Sequence, residues 1–578
     1  MRASLRSGRV ASRLAALTLW DLVAVLLSLG ALVLLAEASR AVMQPLPEPG
    51  MGAIRLDPSA LPEYAMRTSL RMLAAMVLSL VFSFTYATWA AKCRRAERVL
   101  IPLLDILQSV PILGFISVTV VFFMSLAPGK VLGAELAAVF AIFTSQAWNM
   151  TFSFYQSLRT VPKELAEASR SFRLSPWMRF WKLEAPFAMP ALVWNMMMSM
   201  SGGWFFVVAS EAISVGDTTV ALPGIGSYIA LAIQQRDLGA IGWAIAAMLV
   251  VILVYDQLLF RPLVAWADRF RFAQEAGAEP PPRSWVLTML RRSRLVSRAV
   301  QPVATAWRWT YRVPARPAKA SPDPDAAGAR QTWLDHLWSA AIAAACLGAG
   351  WKIATFVLAG VAPGEVGTAV LLGFATMARV FVLIALASLI WVPAGVWLGL
   401  RPGAARFAQP IAQFLAAFPA NLLFPLAVSA IVALRLDPDI WLSPLMILGT
   451  QWYILFNVIA GASAIPSELR DIGSNLHVRG WLWWRRIALP AVFPFYMTGA
   501  ITASGGSWNA SIVAEMASWG DTTLKAHGLG AYIAEATEAG DFHRIVLGIA
   551  VMSAFVVIIN RTFWRPLYAL AERKFRLD

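Results

Sequence analysis

The sequence predicts an all-α polytopic membrane protein with about twelve transmembrane helices, arranged as two parallel six-helix repeats. Three observations carry this. Hydrophobic residues make up 58% of the chain and charged residues 14%, against about 25% charged in an ordinary soluble domain, and the mean hydropathy is +0.62. Apolar runs near the roughly 20 residues that cross a bilayer as a helix recur along the length. The later part of the chain then repeats the earlier part in register.

Helices are the expected spans because a backbone in lipid must satisfy its own hydrogen bonds, and no ten-residue alternating barrel pattern is present. In the first half the runs fall at about 17–36, 70–91, 103–126, 136–158, 187–211 and 239–260. In the second they fall at about 336–358, 378–400, 410–434, 440–463, 491–515 and 543–564. Arg2, Arg6, Arg9 and Arg13 precede Leu14–Ala36 in the manner of a signal peptide, but the run is long and reads as a retained first span. The 25 tryptophans suit interfacial belts.

The net charge of +16 does not point to nucleic acid. Basic clusters at Lys92–Arg98, Arg159–Lys182, Arg261–Arg330, Arg401–Arg406, Arg470–Arg486 and Arg561–Arg576 follow the even-numbered spans. Cytoplasmic loops carry such clusters under the positive-inside rule, which puts both termini in the cytoplasm. Cys93 and Cys346 lie far apart and define no disulfide framework.

An offset of 304 residues pairs Trp148 with Trp452, Pro162 with Pro466, Glu164 with Glu468, Trp177 with Trp481, Pro186 with Pro490, Trp204 with Trp508 and Glu211 with Glu515. The tetrapeptide GDTT stands at Gly216–Thr219 and again at Gly520–Thr523. Nearer each start the offset is 308, pairing Thr68 and Arg71 with Thr376 and Arg379, and Pro102 and Pro111 with Pro410 and Pro419. Six spans per half is an even number, so both halves insert the same way up, as parallel repeats about an axis normal to the membrane. The domains are therefore residues 1–268, a basic linker at 269–332, and residues 333–578. Arg269–Arg330 holds 12 Lys/Arg against 4 Asp/Glu. It reads either as a solvated linker, the preferred reading, or as an amphipathic element on anionic lipid.

A charged loop joins spans four and five. Pro162 precedes a helix expected over Pro162–Leu174, with Glu164 and Glu167 in its first turn and Arg170 and Arg173 after them. Leu165, Ala168 and Phe172 share a face that a partner's groove could accept. Pro176 and Pro186 then break the chain before re-entry. The counterpart begins at Glu468. Repetition in register predicts two equivalent docking points on a two-fold partner.

These loops resemble the signature of permease subunits of ABC importers, an EAA-type loop followed by a glycine and an apolar residue with Leu-Pro. The matching residues are Glu167-Ala168-Ser169 with Leu183 and Pro186, and Asp471-Ile472-Gly473 with Ile487 and Pro490. WFFVVASEAIS…LPGIGSYIA and SWNASIVAEMA…AHGLGAYIA are most similar to the nitrate/sulfonate/taurine branch. The family's glycine falls at Arg173 and at His477, and the acid that opens the EAA match in the second loop is Asp471, so the loops carry unlike side chains. The resemblance implies coupling helices seated in a cytoplasmic ATPase pair, an extracytoplasmic substrate-binding protein, a small anionic solute and a bacterial inner membrane. Gly129-Lys130 lacks the spacing of a phosphate-binding loop. ATP and magnesium therefore belong to the partner, and this chain is expected to hold no cofactor, no metal and no catalytic site.

Candidate path residues follow from span geometry. Arg71 lies 21 residues before Lys92, and Arg379 lies 22 before Arg401, which places both near the outer interface. They either attract an incoming anion or pair with Glu211 and Glu515, which reach the same level. Asp217 and Asp521, with their threonines, either line an outer gate and contact a binding protein or are plain turn residues. Gln146, Asn149, Asn195, Gln451, Asn457 and Asn509 suit a path or interhelical bonding equally. Pro111 and Pro419 are expected to kink the third and ninth spans. From the residues, an ion-gradient-driven secondary transporter and a membrane scaffold or sensor also stay open.

Overall fold

The structure, a computed structural model, describes residues 54–109, 112–215, 218–270, 284–311 and 329–575. The first predicted span, Pro111 and Asp217 lie outside them. The first half begins with α1 (Leu61–Lys92), α2 (Arg94–Ser109), α3 (Ile112–Leu126) and α4 (Val131–Arg159). After the loop helix α5 (Lys163–Ser171), α6 (Ala185–Glu211) leads into the hairpin β1–β2 (Ala212–Val215 and Thr218–Ala221). The half closes with α7 (Ile225–Gln234), α8 (Leu238–Tyr255) and α9 (Arg261–Ala267). The linker forms α10 (Trp285–Arg292) and α11 (Arg294–Thr310).

The second half runs through α12 (Ala329–Gly360), α13 (Pro363–Gly399), α14 (Pro402–Ala417), α15 (Phe424–Ala433) and α16 (Trp452–Ser463). Loop helix α17 (Ser467–Asn475) precedes α18 (Leu489–Ala514), the hairpin β3–β4 (Met516–Trp519 and Thr522–Lys525), α19 (Leu529–Glu538), α20 (Phe542–Ile559) and α21 (Arg565–Phe575). Among the described residues eight helices are long and apolar enough to cross a membrane, or nine if the bent pair α14–α15 counts as one.

The difference from twelve has local causes. The expected span 103–126 is divided between α2 and α3. The ninth bends by 76° between α14 and α15, at Pro419, as the proline predicts. The tenth is broken, whereas its counterpart α4 is continuous. Pro438–Trp441 and Ser443–Met446 form short turns before α16 starts. In the 304 register Pro438, Pro444 and Gly449 replace Ala134, Phe140 and Ser145. Two missing N–H donors and a weak helix former suffice to interrupt that segment.

Two antiparallel hairpins amend the all-α expectation. Val215 pairs with Thr218 and Trp519 with Thr522. Asp521 and the threonines are thus hairpin residues, and Gly520 supplies the left-handed turn at φ 59°. The linker also departs from a solvated coil. Val286 and Met289 of α10 are buried, and α10 packs on α9.

In each half the fifth span lies at the centre, with α6 packed against α4 and α18 against α16. Trp204 and Trp508, 304 residues apart, are among the largest fully buried side chains. On the outside, Val77, Leu78 and Val81 of α1 and Leu371, Leu389 and Ile390 of α13 are exposed. Continuous apolar exposure of this kind is what lipid covers. The halves meet reciprocally. The Ile112 amide donates to Asn509 Oδ1 at 2.7 Å, and Asn421 Nδ2 donates to the Phe205 carbonyl at 3.3 Å. Those contacts are near equivalents under the repeat, as a pseudo-two-fold interface requires.

Candidate functional site

Three features recur in both halves or lie between them: a buried charge cluster, a loop helix and a central cavity. The charge cluster forms where the fifth span ends. Glu211 is fully buried, and its Oε1 accepts from Arg71 Nη1 and Thr68 Oγ1, each at 2.7 Å. Its Oε2 accepts from the Gly226 amide at 2.7 Å, at the start of α7, where a helix N-terminus favours negative charge. Arg71 also grips Glu135 with two bonds of 2.6 Å and donates to the Pro223 carbonyl at 3.1 Å.

The second half repeats the arrangement. Glu515 accepts from Thr376 Oγ1 at 2.8 Å, Arg379 Nη1 at 3.1 Å and the Gly530 amide at 2.7 Å. Asp439 stands where Glu135 does, 2.8 Å from Arg379 Nη2, and also accepts from the His527 amide and ring. Glycine is needed at two positions by close approach. A Cβ on Gly224 or Gly528 would overlap the Glu211 or Glu515 carboxylate.

The expected pairs Arg71–Glu211 and Arg379–Glu515 are therefore formed. Glu135, Asp439 and His527 were missed, although the 304 offset matches Glu135 with Asp439. Arg71, Glu211, Arg379 and Glu515 do not line the central cavity. Asp521 sits at a hairpin tip, 3.2 Å from Arg236 of the other half.

Both loop helices are exposed at the positions singled out. Glu164, Glu167, Ala168 and Phe172 face outward on or just after α5, and Arg170 lies within it. Glu468, Asp471 and His477 are exposed at the second loop, while Gly473 is buried against Ile487. Arg173 and His477 have φ of 51° and 53°. The Leu174 amide bonds the Ser169 carbonyl at 3.1 Å, and the Val478 amide bonds the Gly473 carbonyl at 2.9 Å. These are helix C-terminal motifs with a left-handed residue one place before the donor. The family's glycine position is thus kept as a backbone conformation although neither loop has glycine there.

The cavity, of about 180 Å³, lies between the halves. Asn149 and Asn509 line it, together with Trp148, Tyr453, Ser199 and Thr450. None of the described residues lining it is charged. Ser199 is buried with its hydroxyl unpartnered. The other candidate amides are used between or within helices: Asn195 Nδ2 donates to Ser153 Oγ at 2.9 Å, Gln451 Oε1 accepts from Trp391 Nε1 at 2.8 Å, and Asn457 Nδ2 donates to the Tyr453 carbonyl at 2.8 Å. Gln146 Nε2 approaches Met72 Sδ at 2.9 Å.

A duplicated helical membrane protein with an uncharged cavity between its halves and matched loop helices has the architecture of a membrane transport component. The chain belongs to the family described as "binding-protein-dependent transport system inner membrane component", whose profile matches residues 83–261 and again 391–576. It is similar to the glycine betaine/proline betaine permease protein ProW of Escherichia coli, 27% identical over 34% of this chain and 51% of that protein. It is also similar to the nitrate import permease NrtB of Synechocystis, 25% identical over 35% of this chain and 70% of that protein. A third relative is the Synechocystis bicarbonate permease CmpB, 26% identical over 32% of this chain and 64% of that protein. The chain spans about half the length of ProW. It is a multi-pass membrane permease subunit and not itself an enzyme.

Three outcomes are expected. Arg71→Ala leaves two carboxylates without their cation and should destabilise the protein by about 3–5 kcal/mol, read as a fall in detergent melting temperature, with Arg71→Lys milder. Arg173→Gly or His477→Gly relieves a left-handed non-glycine residue and should stabilise by about 1 kcal/mol, read in the same melt. Burial raises the Asp439 carboxyl, but the His527 amide and ring and the Arg379 guanidinium outweigh it, so it titrates below the usual aspartate value. Its contribution to stability is therefore full above about pH 3.9 and lost as pH falls through its lower folded value. Melting curves of wild type and Asp439→Asn should differ near neutrality and converge on acidification.

Proposed function

We propose that this chain supplies two transmembrane halves of an ABC importer, carrying a small solute through the cavity on its pseudo-two-fold. The carrying observation is the pair of loop helices α5 and α17, equivalent under the repeat, exposed, and ended by the same left-handed turn. Each seats in one subunit of a cytoplasmic ATPase pair, which supplies ATP and magnesium. Glu164, Glu167, Ala168 and Arg173 face one subunit, with Arg170 in the same helix, and Glu468, Asp471 and His477 face the other, with Gly473 packing the second loop on Ile487. Both termini then lie in the cytoplasm, and the hairpins face an extracytoplasmic binding protein. Closure of the ATPase pair moves both loops and rocks the two halves as rigid bodies.

The solute is a small anion held by neutral hydroxyl and amide groups, in keeping with the nitrate and bicarbonate relatives. Arg71, Glu211, Arg379 and Glu515 act as anchors of the outer ends, with Asp521 at its hairpin tip, and Asp217 at the matching sequence position, as gate or docking positions. The aromatic lining from Trp148 and Tyr453 favours a second reading, a betaine whose cationic end lies on ring faces.

The test is co-purification of the chain with an ABC ATPase encoded beside it. Wild type should retain the ATPase stoichiometrically, and removal of both loop helices should abolish retention. Retention after both deletions would overturn the docking assignment. Uptake into vesicles that follows an ion gradient without ATP would overturn the importer reading itself.

A further inference from the structure

The linker is built unlike either half, and its described residues clip onto the first loop. Residues 285–310 contain five arginines and no acidic residue. Arg298 and Arg308 lie on one face of α11 with Gln301 and Thr305, while Val303, Ala306 and Trp307 fall on the other. That apolar face is unpartnered at Val303, which is 68% exposed, and Trp307 on the same face keeps 41% exposure, while the exposed Trp309 turns toward the arginine face. Through Val286 and Met289, α10 is fixed to the end of the sixth span.

The far end of α11 is clipped to the chain that follows loop helix α5. Trp307 packs on Trp181 with ring centroids 4.8 Å apart and on Trp177 at 6.0 Å. Trp177 Nε1 donates to Thr310 Oγ1 at 3.0 Å, and Lys182 Nζ lies 5.5 Å from the Tyr311 ring. Among the described residues the second half has no such clip. Trp481, the counterpart of Trp177, is 73% exposed, and Arg485 stands where Trp181 would be.

We propose that α10–α11 is a membrane-surface element that binds the headgroups of anionic phospholipid and, through the tryptophan clip, braces the first loop only. Charge and place select this occupant. An acid-free arginine helix with exposed valine and tryptophan, tethered at a span's end, complements an anionic leaflet over its apolar layer. Lipid holds α11, α11 holds Trp177 and Trp181, and these sit directly after α5. The lipid contact needs no assumption about transport, whereas its effect on coupling rests on the importer reading above.

The test uses the full chain in nanodiscs, with Cys93→Ser and Cys346→Ser as background. A spin label at Val303→Cys should be several-fold more accessible to oxygen than to a water-soluble nickel chelate in discs containing phosphatidylglycerol. The preference should be lost in phosphatidylcholine discs, or when Arg291, Arg292, Arg298 and Arg308 are changed to Gln. Water-like accessibility in both lipids would overturn the proposal. So would a label shielded only when an ATPase is added, which would indicate a protein docking face. With labels at Glu167→Cys and Asp471→Cys, Trp307→Ala should raise mobility in the first loop and leave the second unchanged. Equal responses would overturn the bracing. These readouts are separate from ATPase co-purification, so either idea can fail alone.

Discussion

A buried carboxylate at the end of each fifth span organises its half of the molecule. An ionised Glu211 or Glu515 in such a place is tolerable only if its charge and lone pairs are met. Each is met by an arginine from the second span, a threonine one helical turn earlier, and the amides that open the next short helix. Those partners come from two separate segments, so satisfying one carboxylate fixes where α6 or α18 ends, how the hairpin leaves it and where α7 or α19 begins. The same demand explains the glycines of LPGIG and AHGLG, whose backbones press against the carboxylate.

Because both halves carry this anchor, the pseudo-two-fold is imposed twice at the same level. What differs between the halves lies elsewhere. The fourth span is continuous and the tenth is broken next to the cavity, where Gly449 and Thr450 face Thr144 and Ser145. The chain after the first loop helix is clipped to the linker, and among the described residues its counterpart after the second is not. Duplication within one chain releases each half to diverge at the cavity and at the loops while the anchors stay alike.

Much of the site was legible in the sequence. The repeat register picked out Arg71, Glu211, Arg379 and Glu515, and their pairing followed from counting residues across a bilayer. The loop helices were legible from Pro162 and Pro466 and the acids that follow. Glu135 and Asp439 were passed over because a lone acid in an apolar run gives no sign of which helix will face it. Arg173 and His477 looked like departures from the glycine pattern. The requirement at that position is a left-handed backbone, which arginine and histidine can adopt at a cost.

By itself the sequence determined membrane insertion, duplication and the levels of the charged residues, since these depend on hydrophobicity, length and offset, all local to the chain. Tertiary structure alone decided which polar residues reach the cavity, that the outer arginines are spent on ion pairs, and that the linker grips one loop. Those outcomes depend on which faces of distant helices meet. Helical phase drifts across prolines and π-helical turns such as Phe180–Glu184 and Trp484–Ala488. A single sequence does not record that phase.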